Sequence, residues 1–319
     1  MKKIYFAAIS AALLMLAAAC SNEAVEPTDQ ATVQFSVNLD DIQSRTISDG
    51  TTVDQLIFAV YDNEGNELTD LRQNNVTITD RQALVTTTVV RGQKYTFVFW
   101  AQKRYNTHYD TANLKDVVVS YDGPANDETR DAFTNVLTID KVTGPINETV
   151  TLYRPFAQLD YVCDLEEWEN LFKSNYELTG CDLTVEGGAY THLNMLTGEA
   201  SQPTAVEAPF TLQTAGYVTT RVANGTDVSY TEKFVQGNGE KFWISMNYIL
   251  ASPQQTMLNS ATMNIYSKIS GEAQPIPIKC DNVPIKRNHR TVIYISDLTK
   301  VIKTYITIYT GFDPNNPDL

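Results

Sequence analysis

The sequence predicts a mainly β protein made of two antiparallel β-sandwich domains in tandem. Short β-rich runs recur along most of the chain with turn residues between them, which is typical of sandwiches and barrels. The length of 319 residues is large for a single core of this kind. Arg154-Pro155 interrupts an otherwise continuous β-rich stretch near the middle, and proline has no N–H to donate to a sheet. We therefore expect the domain boundary at this joint.

The first 20 residues have the pattern of an export signal. Lys2 and Lys3 precede an apolar run, and small residues then lead to Cys20. This pattern resembles a bacterial lipobox, although Ala17 stands where leucine is usual. The resemblance implies an outer-membrane lipoprotein whose mature chain begins at an acylated Cys20. The alternative is an ordinary secretory signal that is cut near Ala19.

The first predicted strand spans residues 32–39 and has one apolar face. Val33, Phe35, Val37 and Leu39 alternate with polar residues, which is the period of a half-buried strand. One helix is predicted around residues 127–133. Further strands in the first half are predicted at 53–61, 76–78, 83–90, 95–101, 117–119, 136–139 and 149–153.

The second half opens with a predicted strand and a short amphipathic helix. Leu165, Trp168, Leu171 and Phe172 have helical spacing, and Asp164 is a suitable N-cap. Pro275, Pro277 and Pro284 confine their segments to sheet edges or strand starts. Strands are predicted at 157–162, 182–185, 205–212, 241–250, 261–269, 276–279, 291–295 and 304–309.

Charge and cysteine content narrow the classes of function. A net charge of -14 argues against a nucleic-acid partner, because phosphates are bound by basic surfaces. With Cys20 assigned to lipid, Cys163, Cys181 and Cys280 remain, an odd number for an exported chain. Two of them could pair, Cys163 and Cys181 being nearest in sequence, or all three could be buried thiols that pack as small hydrophobes.

The chain has no recognisable catalytic motif. His108, His192 and His289 are scattered, and His108 with Asp110 lacks a third metal ligand at a helpful spacing. Paired carboxylates such as Glu166-Glu167 would suit a glycosidase only across a sugar-sized cleft. We expect no enzyme activity, no cofactor and no metal. Sugar binding through some of the 17 tyrosines stays open.

Four phrases, in the same order along the chain, resemble the fimbrillins, which are the type V pilins of Bacteroidales. They are Ser44-Arg-Thr-Ile-Ser-Asp-Gly50, Leu152-Tyr-Arg-Pro-Phe-Ala-Gln-Leu159, Thr191-His-Leu-Asn-Met-Leu-Thr-Gly198 and Val283-Pro-Ile-Lys-Arg-Asn-His-Arg-Thr-Val-Ile293. Ser296-Asp-Leu-Thr299 stands where the family has Gly-Asn-Leu-Leu-Thr before the last strand, and it lacks the Gly-Asn pair. The resemblance implies two transthyretin-like sandwiches and a place on the cell surface or in a fimbrium.

The resemblance also implies a mechanism of assembly by strand exchange. Proteolysis after Arg45 would leave Thr46 as the new N-terminus and remove the strand that carries Val33, Phe35, Val37 and Leu39. An extended segment of another subunit would then occupy the vacated groove. The donor segment implied is the C-terminal one, here Tyr305, Ile306, Thr307, Ile308 and Tyr309.

The predicted organisation is a signal peptide (1–20), a tether with the removable strand (21–45) and two sandwiches (46–154 and 155–319). The expected partners are other fimbrial subunits, the outer membrane through lipid on Cys20, and a host protein or glycan. Two alternatives keep the same fold. One is a surface lipoprotein that binds a glycan or host protein and never polymerises, and the other is a fimbrial anchor or tip.

Overall fold

The protein is described by a computed structural model. The described residues are 29–40, 50–123, 127–164, 166–167, 177–187, 189–201, 210–214, 220–221, 228–229, 233–236, 239–269, 272–297 and 304–310. Among them no helix is long and apolar enough to cross a bilayer.

The first half of the chain forms two sheets that pack face to face. Its strands are β1 (Gln30–Leu39), β2 (Gln55–Tyr61), β3 (Gln73–Thr77), β4 (Gln82–Val90), β5 (Tyr95–Gln102), β6 (Tyr109–Asp110), β7 (Val117–Val119), β8 (Ala132–Ile139) and β9 (Ile146–Leu152). One sheet has the order β4-β1-β9 and the other the order β3-β2-β5-β8. β1 is antiparallel to β4 and parallel to β9.

The second half repeats this plan on a larger scale. Its strands are β10 (Phe156–Asp164), β11 (Glu177–Glu186), β12 (His192–Leu193), β13 (Ala200–Ser201), β14 (Phe210–Thr214), β15 (Thr220–Arg221), β16 (Val228–Ser229), β17 (Lys233–Gln236), β18 (Gly239–Leu250), β19 (Thr256–Ile269), β20 (Glu272–Ile285), β21 (His289–Ile295) and β22 (Thr304–Thr310). The two main sheets have the orders β17-β18-β10-β21-β22 and β14-β11-β19-β20. β10 is antiparallel to β18 and parallel to β21. β20, which contains the three prolines, is an edge strand as predicted.

Three apolar clusters hold these sheets together. One lies between the two sheets of the first half and another between the two main sheets of the second half. The third contains residues of both halves, among them Trp100 on β5, Tyr109 on β6, Phe156 on β10 and Tyr248 on β18. Successive rings in this series have centroids 5.3, 5.5 and 6.3 Å apart. The two halves therefore share an apolar core in addition to the chain that connects them.

A small sheet also crosses the joint. It has the order β13-β12-β7-β6, so that His192 pairs with Val118 and Leu193 with Val117. Strands from the two sides of Arg154-Pro155 thus hydrogen-bond to each other, which the sequence did not predict. The domain boundary itself stays a prediction.

The helix predicted around residues 127–133 is wrong in extent. Only Glu128–Arg130 forms a turn of 3-10 helix, and Asp127 caps it by accepting from the Thr129 N–H. β8 starts at Ala132 and pairs with β5 along its whole length. Pairing with β5 therefore prevails over the local helical signal. Of the second predicted helix, Glu166 and Glu167 are helical, and Leu165, Trp168, Leu171 and Phe172 lie outside the described residues.

Candidate functional site: the β1 groove and the joint

The four predicted groove residues lie on the buried face of β1. Val33, Phe35, Val37 and Leu39 are buried, while exposed Thr32 and half-buried residues alternate with them. Their side chains fill the space between the two sheets of the first half. We call this space, together with the facing edges of β4 and β9, the β1 groove. Alternation in the sequence predicted this inward face.

Phe35 is the central side chain of the β1 groove. Its ring centroid lies 4.9 Å from that of Phe97, 5.2 Å from that of Phe99 and 6.0 Å from that of Phe58. All four rings are fully buried. Loss of β1 would expose an aromatic cavity, and burying one large apolar side chain in it again would contribute roughly 1.5–3 kcal/mol.

The backbone of β1 is paired on both sides. Its ladder with β4 runs from Gln30 opposite Val90 to Asn38 opposite Gln82. Its ladder with β9 runs from Val33 opposite Ile146 to Leu39 opposite Leu152. Because β4 and β9 have no other strand neighbour in this sheet among the described residues, removing β1 would leave two facing rows of backbone donors and acceptors. An incoming extended segment can satisfy these groups one for one.

The predicted processing residues lie outside the described part of the chain. This applies to Cys20, Arg45 and Thr46. The chain on either side of residues 41–49 is fixed: the Asp40 N–H donates to the Leu152 carbonyl at 2.9 Å. Gly50 has φ +74°, and a Cβ there would lie 3.0 Å from Cζ of Phe133. Glycine suits this position for both reasons.

The predicted donor segment forms an edge strand of its own half. β22 pairs antiparallel with β21, from Thr304 opposite Ile295 to Thr310 opposite His289. Ile306, Thr307 and Ile308 are half-buried, and the side chains of Tyr305 and Tyr309 lie outside the description. To act as a donor, β22 would first have to leave this ladder.

The joint is anchored by a buried ion pair. Arg154 Nε donates to Asp131 Oδ1 at 2.7 Å and Nη2 donates to Oδ2 at 2.6 Å, and both side chains have no exposed surface. The guanidinium also lies 4.2 Å from the centre of the Phe133 ring. Burial alone would lower the pKa of Arg154, but the charge and hydrogen bonds of Asp131 raise it instead. The pair fixes the chain just before β10 begins.

A second buried ion pair lies within the sheet that contains β10. Arg290 Nε lies 3.1 Å from Asp160 Oδ2 and donates to Gln158 Oε1 at 2.5 Å. Arg290 has no exposed surface. β10 and β21 are therefore joined by side-chain charges as well as by their parallel ladder.

Three of the family-like phrases converge at the joint. The backbone N–H of Arg154 donates to Asn288 Oδ1 at 3.3 Å, and Arg287 Nη2 donates to the Gly198 carbonyl at 2.9 Å. The Asn194 side chain accepts from the N–H of Leu196 at 2.9 Å, which shapes the turn that ends at Gly198. Residues far apart in sequence thus enclose one pocket, which the sequence did not predict.

The histidines form no catalytic or metal-binding arrangement with their described neighbours. His108 Nε2 lies 3.3 Å from Asp127 Oδ2, and burial, with a smaller contribution from the charge of Arg130, lowers the pKa of His108. His192 Nδ1 lies 2.6 Å from Asp116 Oδ1, and His289 Nδ1 lies 2.8 Å from the Arg287 carbonyl. Within the described ranges, no three His, Cys, Asp or Glu residues are grouped as metal ligands.

The three cysteines of the body lie together in the core of the second half. Cys163, Cys181 and Cys280 are all buried there. Cys181 Sγ lies 3.7 Å from the Ile244 carbonyl. Their position in the core makes them part of its packing.

The geometry defines a class of protein: two β-sandwiches in tandem, each with a central first strand between an antiparallel and a parallel neighbour. The chain belongs to DUF6562, a family of unknown function whose model matches residues 25–317. A comparison with curated protein sequences gives no match.

Solved structures align with most of the chain at low identity. The tip fimbrial protein Mfa3 from Porphyromonas gingivalis, with a C-terminal truncation, has a TM-score of 0.49 and 14% identity over 88% of this chain and 99% of that chain. A candidate cell adhesion protein from Bacteroides eggerthii has a TM-score of 0.49 and 12% identity, and the alignment covers 88% of this chain and 96% of that chain. Candidate polysaccharide binding proteins from Bacteroides thetaiotaomicron have a TM-score of 0.48 and 12% identity, and the alignment covers 90% of this chain and 100% of that chain.

Proposed function

We propose that this protein is a fimbrial subunit or surface adhesin that accepts an extended segment of another subunit in its β1 groove. Cleavage after Arg45 would release β1 together with the lipid on Cys20, and the mature body would begin at Thr46. The donor segment would take over the backbone pairing with β4 and β9. Its alternate apolar side chains would replace Val33, Phe35, Val37 and Leu39.

The observation that carries this proposal is the position of β1. It is the first described strand of the chain, yet it lies in the middle of its sheet and closes an aromatic core. A polar segment containing Arg45 follows it directly in the sequence. Loop segments of this kind are frequent sites of proteolysis. One cut there would therefore free a central strand while leaving every later strand covalently joined.

The proposed role is structural, with no enzyme activity. Strand exchange replaces hydrogen bonds and apolar contacts that already exist in the folded protein, so it needs neither a catalytic group nor a cofactor. The proposed location is the outer face of the outer membrane before cleavage, through lipid on Cys20, and the fimbrium afterwards.

A tip or anchor position is the second candidate, and one observation favours it. β22, the segment predicted as donor, is paired with β21 within its own sheet. A subunit in which β22 stays paired can accept a strand without donating one. Such a subunit would end a fibre, whereas a stalk subunit needs both activities.

N-terminal mass spectrometry of the protein from its native cell surface tests the proposal. We expect wild-type chains in fimbriae to begin at Thr46 and Arg45→Ala chains to retain an acylated Cys20. The matched control is Arg104→Ala, because Arg104 is another arginine, far in sequence from Arg45, with its Nη2 3.4 Å from Thr77 Oγ1. That variant should be processed as the wild type is.

Two results would contradict the proposal. One is a surface population that begins only at acylated Cys20 and never enters a fibre. The other is normal incorporation of Arg45→Ala into fibres, which would exclude cleavage at this residue.

A further inference from the structure

A pocket of about 590 Å³ lies at the joint, outside the β1 groove. Each of the three converging phrases contributes to its wall. The contributions are Tyr153 with Arg154, Leu193 with residues 195–198, and Arg287 with Asn288. Thr134, Asn135 and Val136 on β8 complete this side of the wall. We call this the junction pocket. Its volume lies within the range of small-molecule binding sites.

The junction pocket contains a partly buried cation. Arg287 Nε donates to the Ala251 carbonyl at 3.2 Å and Nη2 donates to the Gly198 carbonyl at 2.9 Å. Both acceptors are neutral, and no described carboxylate forms an ion pair with this guanidinium. Burial accordingly lowers the pKa of Arg287 to about 10. A guanidinium has five N–H donors, so others are left for a ligand at this wall.

The rest of the pocket combines apolar and polar groups in the way that sugar sites do. Leu193 and Met195 are buried and contribute apolar lining, whereas Tyr153 is 46% exposed. An exposed aromatic ring can pack against the C–H face of a pyranose, with its hydroxyl free to hydrogen-bond. Thr134 and Thr197 add hydroxyl groups to the lining.

We infer that the junction pocket binds an acidic sugar residue, such as a uronic or sialic acid, with its carboxylate on Arg287 and its ring against Tyr153. A carboxylate supplies the charge that the guanidinium lacks and matches its planar geometry. The net charge of -14 disfavours large polyanions, but a small monoanion held at one partly buried arginine meets mainly local charges. This inference does not depend on strand exchange, because the β1 groove and the junction pocket are separate.

Calorimetric titration of the mature protein tests this with matched sugars. Methyl β-glucuronide and methyl β-glucoside differ only in carrying a carboxylate or a hydroxymethyl group, and N-acetylneuraminic acid serves as a second acidic probe. We expect at least one acidic probe to bind about tenfold more tightly than the glucoside, a difference typical of one added charge-assisted contact. Arg287→Gln should abolish this preference, and Arg287→Lys should retain part of it.

Two further variants separate recognition from folding. Lys286→Gln removes the neighbouring positive charge in the sequence and should leave the preference unchanged, because Lys286 does not line the pocket. Tyr153→Ala should lower the affinities for acidic and neutral sugars by the same factor. The inference is overturned if neither acidic probe binds, if glucuronide and glucoside bind equally, or if folded Arg287→Gln keeps the wild-type preference. If Arg287→Gln does not fold, an unchanged preference in Arg287→Lys together with unchanged binding in Tyr153→Ala also overturns it.

Discussion

β1 and β10 hold the same place in the two halves of the molecule but are fixed in different ways. Each is the first described strand of its half, and each lies between an antiparallel and a parallel neighbour. β1 has one buried face and no ionisable side chain between Gln30 and Leu39. β10 is buried on both faces and pairs Asp160 with Arg290, and Arg154 is bound to Asp131 just ahead of it.

The difference bears on the proposed strand exchange, because it favours β1 over β10 as the strand that another chain would replace. Apolar pockets accept any side chain of suitable size and shape, so we expect that a different segment could fill the β1 groove. A buried charge that loses its partner costs several kcal/mol, so β10 can be replaced only by a segment that supplies the same charge in the same place. If the proposal is correct, the fold combines one exchangeable strand, β1, with one permanent strand, β10.

The largest expected effect comes from breaking the anchor of β10. Arg154→Met leaves Asp131 buried without its partner and should lower the free energy of unfolding by about 3–5 kcal/mol. Urea denaturation measures this change. In the control Asp140→Asn, which breaks the exposed pair of Asp140 with Lys94, the free energy of unfolding should stay close to that of the wild type. Similar losses in the two variants would mean that the ion pair does not fix β10.

The next effect concerns the centre of the β1 groove. Phe35→Ala in the uncleaved chain creates a cavity among Phe58, Phe97 and Phe99 and should cost about 3 kcal/mol. Ser36→Ala on the same strand, where the side chain is only half-buried, should change stability by less than about 0.5 kcal/mol. Equal effects would show that the groove is not tightly packed around Phe35.

Exchange of β1 can be measured directly with a peptide. A chain that begins at Thr46 should bind a peptide of residues 29–40, and Phe35→Ala in that peptide should weaken binding by about a hundredfold, equivalent to roughly 2.7 kcal/mol. Fluorescence anisotropy of a labelled peptide gives both affinities, with Ser36→Ala as the control peptide. Failure of the unmodified peptide to bind would contradict an exchangeable β1.

The smallest expected effect is a pH dependence of the free energy of unfolding that arises from His108. Burial and the charge of Arg130 lower the pKa of His108 below 6.5 in the folded protein, so that near this pH the unfolded chain binds more protons. Stability should therefore fall as the pH drops from about 6.5 through the lowered pKa. Urea denaturation at pH 7.5 and pH 5 measures this difference in stability, and His108→Gln should make it smaller. Part of the difference should remain, because burial also lowers the pKa of His289. An unchanged difference in His108→Gln would contradict the assignment.

Local patterns in the sequence were sufficient to predict most of the longer strands and the buried face of β1, but they missed short strands such as β6, β12, β13 and β17. The alternation from Val33 to Leu39 predicted the buried face of β1, and Pro155 correctly separated β9 from β10. These features depend on side-chain period and backbone geometry, which neighbouring residues determine. The prolines of β20 likewise predicted an edge strand because they cannot donate in a ladder.

Contacts between distant residues were beyond such patterns. The parallel pairing of β1 with β9 and the small sheet that joins β7 to β12 depend on closing long loops, which local periodicity does not encode. For the same reason, local patterns could not predict that Arg154, Gly198 and Arg287 come together at the junction pocket. The predicted helix around residues 127–133 failed because pairing with β5 outweighed a weak local preference.

The apolar cluster shared by the two halves has a mechanical consequence. Because Trp100, Tyr109, Phe156 and Tyr248 form an unbroken series of rings across the joint, there is no slack linker between the sandwiches to extend first under tension. A pull on the β1 groove is passed to the second half through packed rings and the Arg154 ion pair. We therefore expect the two halves to move as one body under tension, until one of their sheets is torn open.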